Sequence, residues 1–99
     1  MIKFAEDRWL GNQWASIDIE PVDASYFLPI LSYLMNTYNF PQPHILEDVD
    51  GYVADFKIDH CNAIIKVDTW TFSIAFDDEA MRNRVLEAFQ QLPDDYFDA

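Results

Sequence analysis

Tyr52-Val53-Ala54-Asp55-Phe56-Lys57-Ile58-Asp59, Ala63-Ile64-Ile65-Lys66-Val67 and Trp70-Thr71-Phe72-Ser73-Ile74-Ala75-Phe76 follow one another with only a few residues between them. Each run alternates with a period of two, the mark of a half-buried strand. Tyr52, Ala54, Phe56 and Ile58 share one side with Ala63, Ile65 and Val67, and with Trp70, Phe72, Ile74 and Phe76. On this reading Trp70 belongs to the core. The other side carries Val53, Asp55, Lys57, Asp59, Ile64, Lys66, Thr71, Ser73 and Ala75. Turns at His60-Cys61-Asn62 and Asp68-Thr69 are too short for a crossover, so the three strands form an antiparallel meander.

Working outward, Ile2 to Trp9 reads as a strand and Leu10 to Gln13 as a turn. Gly11 and Asn12 are the residues there that tolerate a positive φ. Trp14 to Glu20 alternates again, with Ala15, Ile17 and Ile19 on the apolar side and Trp14, Ser16, Asp18 and Glu20 opposite. Pro21 closes this strand. Asp23 or Ser25 then caps a helix whose apolar positions are Tyr26, Phe27, Ile30, Leu31, Leu34, Met35 and Tyr38. Pro29 fits only near its first turn, because proline has no amide to donate. Residues 41–51 read as a loop rich in proline and acid. After the meander, Asp77 caps a second helix with Met81, Val85, Ala88, Phe89 and Leu92 as its stripe, and Pro93 stops it. The order is β-β-α-β-β-β-α. The economical fold is α+β: a two-layer sandwich in which an antiparallel sheet of four to five strands carries both helices on one face.

Composition limits what such a fold can do. Thirteen Asp and five Glu against three Lys and three Arg give a net charge of -12 over 99 residues. Eight Phe, five Tyr and three Trp show that this is a folded domain, since disordered acidic chains lack aromatics. Residues 1–99 read as one domain, with 93–99 as an acidic, flexible tail. Nucleic-acid binding and anionic membrane surfaces both need clustered Lys and Arg, which the chain does not have. The acidic start does not resemble a signal peptide, and no apolar run approaches the roughly 20 residues of a membrane helix. One cysteine, Cys61, leaves no internal disulfide, and a reducing cytoplasm is the expected location.

The chemistry-bearing clusters have ordinary explanations. His60-Cys61 has no third catalytic group, and neighbours on a strand point apart. In Glu47-Asp48-Val49-Asp50-Gly51, setting Gly51 at the sharp turn of a calcium loop puts Leu46 at the first ligand position and Lys57 at the last. Asp77-Asp78-Glu79 sits where a helix start favours acids. Two glycines cannot make a phosphate-cradling loop, so no nucleotide cofactor is expected, and no catalytic, cofactor or metal residue is assigned. Trp9 and Trp14 flank a turn, where they either pack on each other or form an aromatic anchor for a partner. The helix-free face is drier than the rest of the surface. Its candidate partner residues are Trp14, Val53, Asp55, Lys57, Ile64, Lys66, Thr71, Ser73 and Ala75.

From Gly51-Tyr52-Val53-Ala54 through Asp68-Thr69-Trp70-Thr71-Phe72, and on through the capped helix from Asp77, the chain resembles the short acidic uncharacterised bacterial proteins classed as domains of unknown function. That resemblance implies a small bacterial protein without known chemistry and transfers no functional residue. The layout is also similar to that of immunity proteins, the small acidic partners of basic nuclease toxins, although here the acids spread over loops, strand exteriors and the tail. The leading expectation is a non-enzymatic protein-interaction domain, binding another protein or itself as a homodimer. An inhibitor or nucleic-acid mimic for a basic target is the alternative. A small ligand-binding domain or enzyme, sited near His44 or His60-Cys61, is a third.

Overall fold

A computed structural model describes residues 2–98. Met1 and Ala99, the ends of the expected domain and of its tail, lie outside the described residues. Six strands run β1 (Lys3–Arg8), β2 (Ala15–Glu20), β3 (Ile45–Glu47), β4 (Tyr52–Ile58), β5 (Cys61–Val67) and β6 (Phe72–Phe76). Helix α1 (Phe27–Tyr38) lies between β2 and β3, and α2 (Glu79–Gln90) follows β6. The sheet is antiparallel throughout, in the order β1-β2-β6-β5-β4-β3. The class is α+β, but the sheet has six strands rather than four to five. The extra strand is β3, which pairs Ile45 with Ala54, Leu46 with Val53 and Glu47 with Tyr52. Three residues are too few to show a period, and Pro41 and Pro43 just before them read as loop.

One core joins both helices to one sheet face. Phe27, Ile30, Leu31 and Leu34 of α1 and Met81, Val85 and Phe89 of α2 pack with Ile17, Ile65, Phe72 and Ile74. Fully burying side chains of this size contributes roughly 1.5–3 kcal/mol each. Asp23 caps a single 3-10 turn (Ala24–Tyr26), its Oδ1 accepting the Ser25 amide at 2.9 Å. The regular helix begins at Phe27, so Pro29 falls in the first turn, where an amide has no partner to lose. Asn39, at φ 55°, takes the left-handed position that ends α1.

Several boundaries differ from the alternation. Strand β5 begins at Cys61, paired with Ile58, so the turn is Asp59-His60, with Asp59 at φ 55°. In the first hairpin the positive φ falls on Gln13 rather than on Gly11 or Asn12. Asp78, not Asp77, caps α2, through the Ala80 amide at 2.9 Å. Asp77 instead takes the Asn62 amide at 3.0 Å and its side-chain nitrogen at 2.8 Å. Trp70 is not in the core: it is 84% exposed. The Asp68 carboxylate accepts the Trp70 and Thr71 amides, both at 2.8 Å, and this takes residues 69–71 out of the ladder before the alternation resumes at Phe72. The tail segment is packed through Phe97, which is buried with its ring 6.1 Å from Phe4 and 6.2 Å from Phe89. The Tyr26 hydroxyl donates to Asp98.

Arg82 is the one buried charged side chain among the described residues. Its Nη1 donates to the carbonyls of Asp7 at 2.8 Å and Ser16 at 2.9 Å, two residues that face each other across β1 and β2. Its Nε donates to Asn83 at 2.7 Å, and its Nη2 lies 3.3 Å from Glu6. The first hairpin is thereby fastened to α2.

Gly51 closes the β3–β4 turn, where Asp48 Oδ1 accepts the Asp50 and Gly51 amides at 2.8 and 3.2 Å. A Cβ on Gly51 would stand 2.0 Å from the Val67 carbonyl oxygen and 2.8 Å from its carbon. Both are backbone atoms, so the turn itself would have to move. Gly51→Ala is expected to cost about 2 kcal/mol or more in urea unfolding. Unchanged stability would mean that the close approach to β5 is not a constraint.

Candidate functional site

The face of the sheet away from the helices is built from two rows of residues. One row crosses Asp7, Ser16, Ala75, Ile64 and Asp55, each paired with the next. The next row crosses Ala5, Asp18, Ser73, Lys66, Val53 and Leu46. No helix covers this face, yet Ser16 and Ala75 are 1% and 0% exposed. The cover comes from the first hairpin. Trp9 Nε1 donates to Ser73 Oγ at 3.1 Å, and β2 separates β1 from the strand that holds Ser73. The indole therefore lies across the middle of the face. The Trp9 amide donates to the Trp14 carbonyl at 2.9 Å, so the two tryptophans face each other at the hairpin end.

The expected partner residues do share this face, but not equally. Asp55, Lys57, Lys66 and Thr71 are exposed, while Trp14, Val53, Ile64 and Ser73 are half-buried. Ala75 is buried and offers a partner nothing, because the alternation that placed it outward could not show the indole above it. Trp9 leaves a shallow hollow on either side. One, of about 360 Å³, is lined by Asp18, Thr71, Ser73 and Lys66; the other, of about 310 Å³, by Val53, Asp55, Ile64 and Asp68.

Three of the six cations are occupied within the fold. Arg82 is buried, Arg8 pairs with Glu79, and Lys66 lies 3.9 Å from Asp68. Among the described residues Lys3, Lys57 and Arg84 make no ion pair. On the helix-free face Lys57 and Lys66 stand among Asp7, Asp18 and Asp55. Burial first, then the neighbouring Asp7 and Glu20, push the Asp18 carboxyl above its ordinary range. Asp68 is held below it, chiefly by the Thr71 and Trp70 amides. At Asp77 burial raises the carboxyl, but hydrogen bonds from Asn62 and Cys61 together outweigh it and hold it low.

The remaining chemistry-bearing residues do not converge. His44 and His60 are exposed, and neither lines the hollows described here. Cys61 is buried, and burial pushes its thiol up to about 11, the opposite of what a thiolate nucleophile needs. Asp48 serves its own turn, and Asp78 its helix. Among the described residues no three His, Cys, Asp or Glu side chains gather as a metal site would require. No helix among them is long and apolar enough to cross a membrane.

No protein-family model, curated protein or solved structure matches the chain. Nothing in the local pattern around Trp9 and Trp14 shows an indole reaching a residue two strands away.

Two pH responses of opposite sign follow. The fold penalises ionised Asp18, so Asp18→Asn should stabilise the protein by on the order of 0.5 kcal/mol at neutral pH. That gain should vanish below about pH 4, where the carboxyl is protonated in both states. Ionised Asp68 stabilises the fold above about pH 4, and this contribution is lost as pH falls through its lowered pKa. Asp68→Asn should therefore destabilise at neutral pH and converge with the parent in acid. Urea titrations across the pH range check both, and two variants shifting in the same direction would refute the assignment. For Cys61, a chromogenic disulfide reagent at mildly alkaline pH should label the protein only when urea unfolds it. Rapid labelling of the folded protein would contradict the buried, protonated thiol.

Proposed function

We propose that this chain is a non-enzymatic protein-interaction domain whose partner is a basic protein, contacted on the helix-free face of the sheet. The observation that carries the reading is the setting of Trp9. A hydrogen bond fixes its indole in the middle of a face whose hollows are edged by Asp7, Asp18, Asp48, Asp55 and Asp68 against Arg8 and Lys66. A held aromatic surrounded by carboxylates has the composition of an anchor with an electrostatic rim. The net charge of -12 extends that field over the molecule and favours fast association with a positive surface.

The same charge favours another protein over a second copy, since two such chains repel. It also supports the inhibitor reading as a special case, because nucleic-acid-binding enzymes carry the positive surface this face would meet. The resemblance to short acidic bacterial proteins fits a cytoplasmic role of this kind.

Selection from a displayed library of small proteins tests the proposal. The selected binders should be basic, and their affinity should fall steeply between low and high salt. The Asp18→Asn, Asp55→Asn double variant should bind several-fold more weakly, mostly through slower association. Neutral or acidic binders, or affinity indifferent to salt, would overturn the reading. So would a native mass showing a stable homodimer.

A further inference from the structure

The two edges of the sheet are not alike, and the β3 edge lies beside an apolar groove. The groove, of about 390 Å³, runs between the start of α1 and β3 and is lined by Ala24, Ser25, Phe27, Leu28, Ile45 and Tyr52. Leu28 is 57% exposed beside it. The Phe27 and Tyr52 rings, 5.5 Å apart, sit together in its lining.

Backbone geometry shows what the strand beside it can accept. The Asp48 amide donates to the Gly51 carbonyl at 3.0 Å, so the backbone groups of Asp48 point toward β4. In an antiparallel pair this direction alternates, so those of Leu46 also face β4. The amides and carbonyls of Ile45 and Glu47 then point away from the sheet, where β3 is the last strand. Two donors and two acceptors stand free in one line. Ile45 and Glu47 are paired with Ala54 and Tyr52, so their side chains share the helix side with the groove. The Glu47 carboxylate thus lies on the groove's side of the sheet, two residues along the strand from Ile45. Asp23 stands beside Ala24 and Ser25, at the turn that forms the other wall.

We infer that this edge takes an extended segment of a basic partner as a seventh, antiparallel strand, with an aliphatic side chain in the groove and a Lys or Arg against Glu47. Rows on one face of a strand recur every second residue. In an antiparallel partner the residue facing Glu47 precedes the one facing Ile45. The segment therefore reads basic residue, any residue, aliphatic residue. Main-chain hydrogen bonds supply affinity and the alternate side chains supply selectivity. A second copy of this chain is the poorer occupant, because its own charge of -12 opposes the approach. The inference rests on the basic-partner reading for its charge, but it uses a different surface from the helix-free face.

Short fluorescent peptides test it. A peptide carrying Lys-Thr-Leu should bind at least about tenfold more tightly than one carrying Glu-Thr-Leu or Lys-Thr-Asp. Binding should protect the Ile45 and Glu47 amides from hydrogen exchange and shift their resonances. Proline is tolerated on edge strands when its missing amide faces outward. Glu47→Pro should keep the fold and lose about tenfold in affinity. Glu47→Gln should keep groove binding while losing the preference for Lys over Glu, which preserves the test if the proline variant does not fold. Lys-Thr-Leu binding that moves the Trp9 and Ile64 signals and leaves β3 untouched would overturn strand addition yet leave the basic-partner reading standing. Groove binding indifferent to the peptide's charge would overturn the basic motif. Failure of every peptide to bind, or a native mass showing edge-to-edge dimers, would overturn the inference outright.

Discussion

A buried arginine in a strongly acidic protein organises both faces of the sheet. Arg82 loses its water, and such a loss is repaid only where every donor finds a partner. It finds two carbonyls from facing residues of β1 and β2, the Asn83 side chain, and the Glu6 and Glu79 carboxylates at 3.3 and 4.0 Å. Both carboxylates remain largely exposed and keep their hydration, so only one charge is desolvated. The guanidinium fork suits this work because its donors are fixed in one plane; the single ammonium of a lysine could not span the same set. The consequence reaches the opposite side of the sheet. Once the β1–β2 hairpin is fastened to α2, the residue leaving β1 is Trp9, and its indole is carried over Ser16 and Ala75.

The acid surplus and the aromatic surplus then divide the molecule between them. Aromatic rings fill the helix side, where Phe4 stacks on Phe89 at 4.3 Å and Tyr33 meets both Phe89 and Tyr96. That cluster draws the last residues onto the body through Phe97. The carboxylates occupy positions where the backbone can use them. Asp23 and Asp78 cap helical turns, and Asp48 and Asp68 each close a hairpin by accepting two amides. Asp18 differs, since it lies half-buried on a strand with two acids for neighbours, and its pKa rises through that burial first and then through Asp7 and Glu20. A carboxylate kept at such a place without a local structural use is the kind of group that a positive partner would relieve.

The meander from Tyr52 to Phe76 was legible because a period of two repeats often enough there to be unmistakable. Both helices were legible from their stripes, and Pro29 even limited where the first could begin. Alternation says which way a side chain leaves the strand and nothing about what meets it. Trp70 kept the right parity, but Asp68 had already turned the chain out of the ladder. Ala75 pointed outward as expected and was then covered by a residue from another hairpin. Nothing local marks Arg82 as a buried residue, because the two carbonyls it meets lie 66 and 75 residues away in sequence. Ile45-Leu46-Glu47 was too short to have a period, so the sheet's last strand was read as loop.

That short strand matters because a sheet edge is a hazard unless it is closed or claimed. At β1 the structure covers it in part. The Phe4 carbonyl accepts Gln90 Nε2 at 3.3 Å, and the Arg8 amide donates to Asp7 Oδ1 at 2.8 Å. At β3 no side chain among the described residues caps the outward groups of Ile45 or Glu47. Brevity limits this edge, since three residues give little purchase for indiscriminate pairing. A carboxylate beside it and the charge of the whole molecule repel other copies. These devices keep away a second acidic chain and leave the edge available to a basic one. On the proposed reading the negative charge acts in two ways at once, as protection against self-pairing at the open edge and as selection for a basic segment there.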